Sequence, residues 1–96
     1  MIVYAPRALR DLRVIAAYLE TRSKTGQRRV LAAIKSSIDV LDQFPQIGRL
    51  VDDIGHRRMP VVRYPYVIFY RIAVAEVLIL HIRHTSREPI DPAADL

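Results

Sequence analysis

Ninety-six residues, 51% of them hydrophobic, make one domain that buries roughly two-thirds of its unfolded surface. The absence of cysteine excludes disulfides, zinc-thiolate sites and a cysteine nucleophile. The formal net charge of +5 is unevenly spread, with eight Lys/Arg against two acids in residues 1–35 and six against one in residues 57–87, while residues 36–56 and the segment from Glu88 are acidic. A basic body with acidic insertions is consistent with a polyanion or an acidic protein as partner, and equally with a solvated basic surface.

The opening Met1-Ile2-Val3-Tyr4 is a short apolar run that could add one strand to a sheet, and Pro6 suits the first turn of a helix. Within Arg7–Arg22, Ala8, Leu9, Leu12, Ile15, Ala16 and Leu19 recur at three- and four-residue steps and define an apolar stripe, with Arg7, Arg10, Arg13 and Arg22 outside it. Ser23-Lys24-Thr25-Gly26 breaks this helix, and Thr25 is expected to cap a second one. Leu31, Ile34, Ile38 and Leu41, with Val30 beside them, carry the second stripe as far as Phe44-Pro45. So short a connection predicts an antiparallel helical hairpin, and two apolar stripes need a sheet to cover them.

Pro45 to His56 has two glycines and paired aspartates and reads as a loop. From Arg57 onward, Val61-Val62, Tyr66–Ile72 and Val77–Arg83 are short runs rich in β-branched and aromatic residues, separated by short breaks. Breaks of that length predict an antiparallel meander. In the last strand, strict alternation puts Leu78, Leu80 and Ile82 on the core face and turns His81 and Arg83 away from it. The expected architecture is α+β, a short strand and helical hairpin packed on an antiparallel sheet in the order β-α-α-β-β-β. It forms one domain over 1–96 with an irregular acidic tail at 88–96.

The apolar runs are strand-length and are interrupted by Arg71 and Glu76, so neither a membrane span nor a signal peptide is expected, and the cytoplasm is the default compartment. Asp52-Asp53 reads as solvated loop, since adjacent residues rarely aim both carboxylates at one ion. A metal pair at His81 and His84 is disfavoured because odd spacing in a strand sends them to opposite faces. No metal or cofactor is implied.

The ordered set Asp11-Leu12, Phe44-Pro45, Gly48, Tyr66-Val67-Ile68-Phe69-Tyr70-Arg71 and Ile79-Leu80-His81-Ile82-Arg83-His84 resembles the RelE/ParE superfamily of bacterial toxins, over nearly the whole chain. The resemblance implies the toxin of a type II toxin–antitoxin module, neutralised by a cognate antitoxin that wraps it with an extended or helical segment and alone contacts operator DNA. RelE-like members cleave messenger RNA in the ribosome, and ParE-like members poison DNA gyrase. The nuclease branch commonly carries an arginine where Val67 stands, and a tyrosine just after the last strand, where this chain has His84-Thr85-Ser86-Arg87. The Tyr-x-Ile-Phe-Tyr-Arg form is similar to the ParE branch. Under that reading Arg58, Arg63, Tyr64, Arg83 and Arg87 are candidates for contact with antitoxin or gyrase. Under the alternative, His81, Arg83, His84 and Arg63, with Tyr64 and Tyr66 nearby, would supply acid/base and phosphate-binding groups against RNA.

Overall fold

The computed structural model describes residues 1–85. In chain order these form β1 (Ile2–Tyr4), α1 (Pro6–Glu20), α2 (Lys24–Gln43), β2 (Arg49–Leu50), β3 (His56–Pro60), β4 (Tyr66–Ala73) and β5 (Glu76–His84). The helical hairpin packs on one face of a five-stranded sheet of order β1-β5-β4-β3-β2. All neighbours are antiparallel except β1, which lies parallel to β5 with Ile2 opposite Val77. The expected α+β arrangement is therefore present, with β3-β4-β5 as the meander. The acidic tail and Arg87 lie outside the described residues.

Each helix starts where the backbone chemistry allows. Pro6 occupies the first turn of α1, where its missing N–H is not needed. The Ala5 N–H just before it donates to Ile79 O at 2.9 Å and ties the helix entry to β5. The cap of α2 is Ser23 rather than Thr25: its Oγ accepts the Gly26 N–H at 3.0 Å, so the helix begins two residues earlier than expected. Ala8 and Ile15 of α1 and Val30, Ile34, Ile38 and Leu41 of α2 meet Tyr66, Ile68 and Tyr70 of β4 in the core. Burying a side chain the size of Ile34 or Leu41, 1% and 0% exposed, stabilises the fold by about 1.5–3 kcal/mol.

Two strand expectations are corrected. The first strand of the meander is His56–Pro60 rather than Val61-Val62; Val61 is buried but lies in the turn to β4, where its N–H donates to Tyr66 O. The segment read as a loop contains β2, and Leu50 opposite Arg57 extends the sheet.

The inward face of β5 is also corrected. Val77 and Ile79 are buried in the core, while Leu78 and Leu80 are only partly covered. Between the pairs Phe69–His81 and Tyr70–Ile79 the register shifts, leaving Leu80 as an extra residue in β5. This bulge resets the alternation, so Ile82 joins Ile79 in the core although the two are three residues apart. Asp11 on α1 stabilises the irregularity, its Oδ2 accepting the Ile82 N–H at 2.9 Å.

Candidate functional site

The bulge decides where the basic end of the sheet points. Residues directly opposite in antiparallel strands share a face, so Arg58, Phe69 and His81 form one row on the face away from the helices, with Val67 and Arg83 in the adjacent row. His81 is 2% exposed and stacks on Phe69 with ring centroids 4.5 Å apart, so it is buried rather than presented to solvent or a partner. His84 is opposite Tyr66 and meets that ring edge-on at 5.0 Å, on the helix-covered face. The structure thus separates the two histidines and puts Arg83 on the same side of the sheet as His81.

Arg63 and Tyr64 lie in the β3–β4 turn. Arg63 adopts a left-handed backbone, φ +74°, which costs a side chain roughly 1 kcal/mol relative to glycine, and its side chain is exposed. Tyr64 is partly buried against the edge of the core.

Between α2 and the β2–β3 side of the sheet runs a groove of about 1210 Å³. Ala32, Ala33 and Ser36 form its helical wall, and Ile47, Met59 and Val62 add apolar surface from the sheet side. Arg29, Arg49, Arg58 and Arg63 also line it, as does Tyr64. Three of the five residues proposed from sequence as contact residues, Arg58, Arg63 and Tyr64, therefore border the groove, Arg58 from a strand position whose side chain faces away from the helices. The α2 contribution and Arg49 were missed, because small residues at helical spacing carry no signal of an open groove.

The groove's lower wall is fastened by a polar latch. Tyr70, 0% exposed, donates its hydroxyl proton to Pro45 O at 2.7 Å and accepts the Gly48 N–H at 2.8 Å. Arg57, opposite Tyr70 on β3, donates to Gly48 O at 2.7 Å and Gln46 O at 3.0 Å. Gly48 admits the ring, since a Cβ there would lie 2.6 Å from Tyr70 Cε1. Burial pushes the Tyr70 phenol above its ordinary pKa, against the opposing pull of the Gly48 N–H and the Arg57 charge.

Asp52, read as solvated loop, instead organises the β2–β3 hairpin. Its Oδ1 accepts the Ile54 and His56 N–H groups, both at 3.0 Å, and its Oδ2 lies 2.5 Å from His56 Nδ1. Burial disfavours its ionisation, but these contacts with His56 and Ile54 outweigh that and hold the carboxyl below its ordinary pKa. A carboxylate-oriented histidine could serve a base, but neither residue lines the groove. Among the described residues, no three His, Asp or Glu side chains converge so as to hold a metal ion, and no helix is long and apolar enough to cross a membrane.

Comparison with known proteins adds a family to this geometry. The family described as ParE toxin of type II toxin-antitoxin system, parDE, matches residues 2–89. Toxin RelE2 of Caulobacter vibrioides is 37% identical over 86 residues, covering 90% of this chain and 96% of that protein. Among solved structures, the chromosomal ParDE system from P. aeruginosa superposes with a TM-score of 0.65 at 22% identity, covering 86% of this chain and 92% of the other. The isolated E. coli RelE toxin gives the same TM-score at 14% identity, covering 98% of this chain and 93% of that one. At those identities the two structures speak to the fold alone.

Proposed function

The chain belongs to the ParE toxin family of type II toxin–antitoxin systems, and we propose that it arrests growth by binding DNA gyrase in the cytoplasm and is held inactive by a cognate antitoxin. Any operator DNA contact is made by the antitoxin. The action is non-covalent, with Arg58, Arg63 and Arg83 as contact candidates.

One observation carries the choice against RNA cleavage. Cleavage needs a base for the 2′-hydroxyl, an acid for the leaving oxygen and a cation on the phosphate, all reaching one substrate. Here Val67, 0% exposed, stands beside a His81 ring closed against Phe69, and His84 is on the opposite face. This placement of the two histidines on opposite faces of the sheet supports the reading without RNA cleavage. The test is gyrase supercoiling with purified protein: dose-dependent loss of supercoiling, or accumulation of cleaved DNA–gyrase complex, is expected, and unaltered gyrase at saturating protein rejects the proposal.

The RelE2 name of a relative 37% identical favours a second reading, a ribosome-dependent endoribonuclease. Translating ribosomes incubated with the protein distinguish the two. Transcript cleavage that is lost in a folded Arg83→Ala variant supports the second reading.

A further inference from the structure

We infer that the face of the sheet turned away from the helices grips the sugar–phosphate backbone of duplex DNA, the DNA that gyrase holds. The inference rests on the gyrase reading above and adds a second ligand to it.

Four neighbouring strands each place one arginine on this face. Tyr66, Ile68 and Tyr70 of β4 point into the core, so the alternate residues Val67, Phe69 and Arg71 face the other way. Pairing carries the same face across the sheet: Arg58 lies opposite Phe69, Arg49 opposite Arg58, and Arg83 opposite Val67. Arg49 and Arg71 are exposed, and Arg58 and Arg83 are partly exposed. Among the described strand residues on this face, Glu76, opposite Ala73 at one corner, is the only carboxylate. Asp52, in the β2–β3 connection, is already engaged with His56. A face of one sign attracts a polyanion, and a guanidinium matches a phosphate through two parallel N–H donors.

The spread of the four cations suits a duplex. Arg71 and Arg83 stand one side-chain repeat to either side of the row Arg49-Arg58-Phe69-His81. From β2 to β5 is three strand spacings, roughly 14 Å, against a major-groove width of about 12 Å. Arginines at the two sides of the face therefore reach phosphates on both strands of a duplex at once.

The middle of the face decides among polyanions. Single-stranded nucleic acid is held by stacking its bases on exposed aromatic rings. Phe69 and His81 are 0% and 2% exposed and closed against each other, so no ring is offered to a base. An acidic protein would draw its affinity from a large side chain or pocket at the centre of the contact, and that centre, Val67 included, is shut. No described strand residue is Asn, Gln, Ser or Thr, the neutral side chains that read base edges. Cations without stacking or readout groups fit a duplex backbone of any sequence.

Fluorescence anisotropy of the purified full chain with a labelled duplex of about 20 base pairs, titrated at several salt concentrations, reads the contact without gyrase. Four phosphate contacts predict a slope of log K against log salt of about −3.6. Arg49→Ala/Arg71→Ala, at two exposed positions, should weaken binding by about tenfold and bring the slope to about −1.8. The control Arg10→Ala/Arg13→Ala on α1 removes the same charge from exposed positions and should keep the affinity within about twofold, with the wild-type slope. Circular dichroism checks that each variant is folded; if the sheet double variant is not, Arg71→Ala alone takes its place, with a slope of about −2.7. The sheet variant should also trap less cleaved DNA–gyrase complex, in step with its duplex affinity.

Absence of salt-dependent duplex binding by the wild-type chain overturns the inference. So does a control that loses as much as the sheet variant, since net charge alone then explains the binding. Tighter binding of single-stranded DNA or RNA of the same length overturns it too, as does full gyrase inhibition by a sheet variant that no longer binds duplex. If the wild-type chain binds duplex as expected but leaves gyrase unaltered, the gyrase reading fails and the assignment of the face stands, so the two failures are distinct.

Discussion

Replacing Tyr70 with phenylalanine removes one oxygen and tests whether the latch holds the α2 exit to the sheet. The lost hydroxyl served two partners, Pro45 O and the Gly48 N–H. Pro45 is partly exposed and its carbonyl can take up water, whereas the Gly48 N–H is buried and is left without an acceptor. An orphaned buried amide costs roughly 1–3 kcal/mol, so a loss of about 2 kcal/mol is expected. In a domain of this size that lowers Tm by roughly 8–16 °C. Gly48→Ala attacks the same contact from the other side, by driving a methyl group into the ring, and should cost at least as much. Because both changes break one latch, the double variant should lose less than the sum by about 1 kcal/mol. The phenol adds a pH signature. Its native pKa is raised, so its contribution is intact below the ordinary tyrosine value of about 10 and is lost as pH climbs from there through the native value. Tyr70→Phe should therefore unfold with a shallower alkaline dependence than wild type. Urea and thermal denaturation followed by circular dichroism measure all of this. A Tm for Tyr70→Phe within about 2 °C of wild type, or strict additivity in the cycle, would refute the reasoning.

Asp11→Ala should cost roughly 1.5–3 kcal/mol, because it removes a charge-assisted bond to the Ile82 amide, and Asp11→Asn should recover part of that in urea melts. Ala75→Gly should raise Tm by roughly 4–8 °C, since residue 75 sits at φ +59° and glycine relieves about 1 kcal/mol of strain far from the groove. Asp52 has a lowered pKa, so its contribution is present above the ordinary carboxylate value and is lost as pH falls through the native one. An NMR titration should find it below about 3.9, and Asp52→Asn should flatten the acid limb of the stability profile. Ile79→Asp should abolish folding by burying an unpaired charge, while Leu80→Asp, at the partly covered bulge position, should leave a folded protein by NMR.

The helical hairpin and the meander were legible because their signals are local. Three- and four-residue spacing from Ala8 to Leu41 marks both helices, and β-branched runs from Tyr66 to Arg83 mark the two long strands. The inward face of β5 was not legible. Alternation is a rule about an unbroken ladder, and the extra residue at Leu80 shows itself only when Phe69 and Tyr70 are set opposite their partners. That offset leaves His81 on the face away from the helices, the face alternation had assigned to it, and stacking on Phe69 buries it there. β2 escaped notice for a different reason, as two residues carry no period. Of the contact residues proposed, Arg58, Arg63 and Tyr64 border the groove, and their clustering depends on the turn that carries Arg63 back toward α2. Nothing in the sequence announced the latch, because Tyr70 and Arg57 bond there to backbone groups, which every residue possesses.

The parallel pairing of β1 with β5 sets a timetable for synthesis. Ile2 is the partner of Val77, and Ala5 at the entry of α1 bonds to Ile79. At ribosomal rates of 5–20 residues per second, roughly 4–15 s separate the appearance of these partners. Until β5 emerges, the first strand has nothing to pair with, α1 lacks the sheet surface against which Ala8 is buried, and Asp11 has no amide to hold. The nascent chain therefore completes its fold late, in one closing step that joins its first strand to its last. Before that step the sheet is incomplete at the β1–β5 seam, so any surface that depends on the finished sheet appears only when synthesis has passed β5.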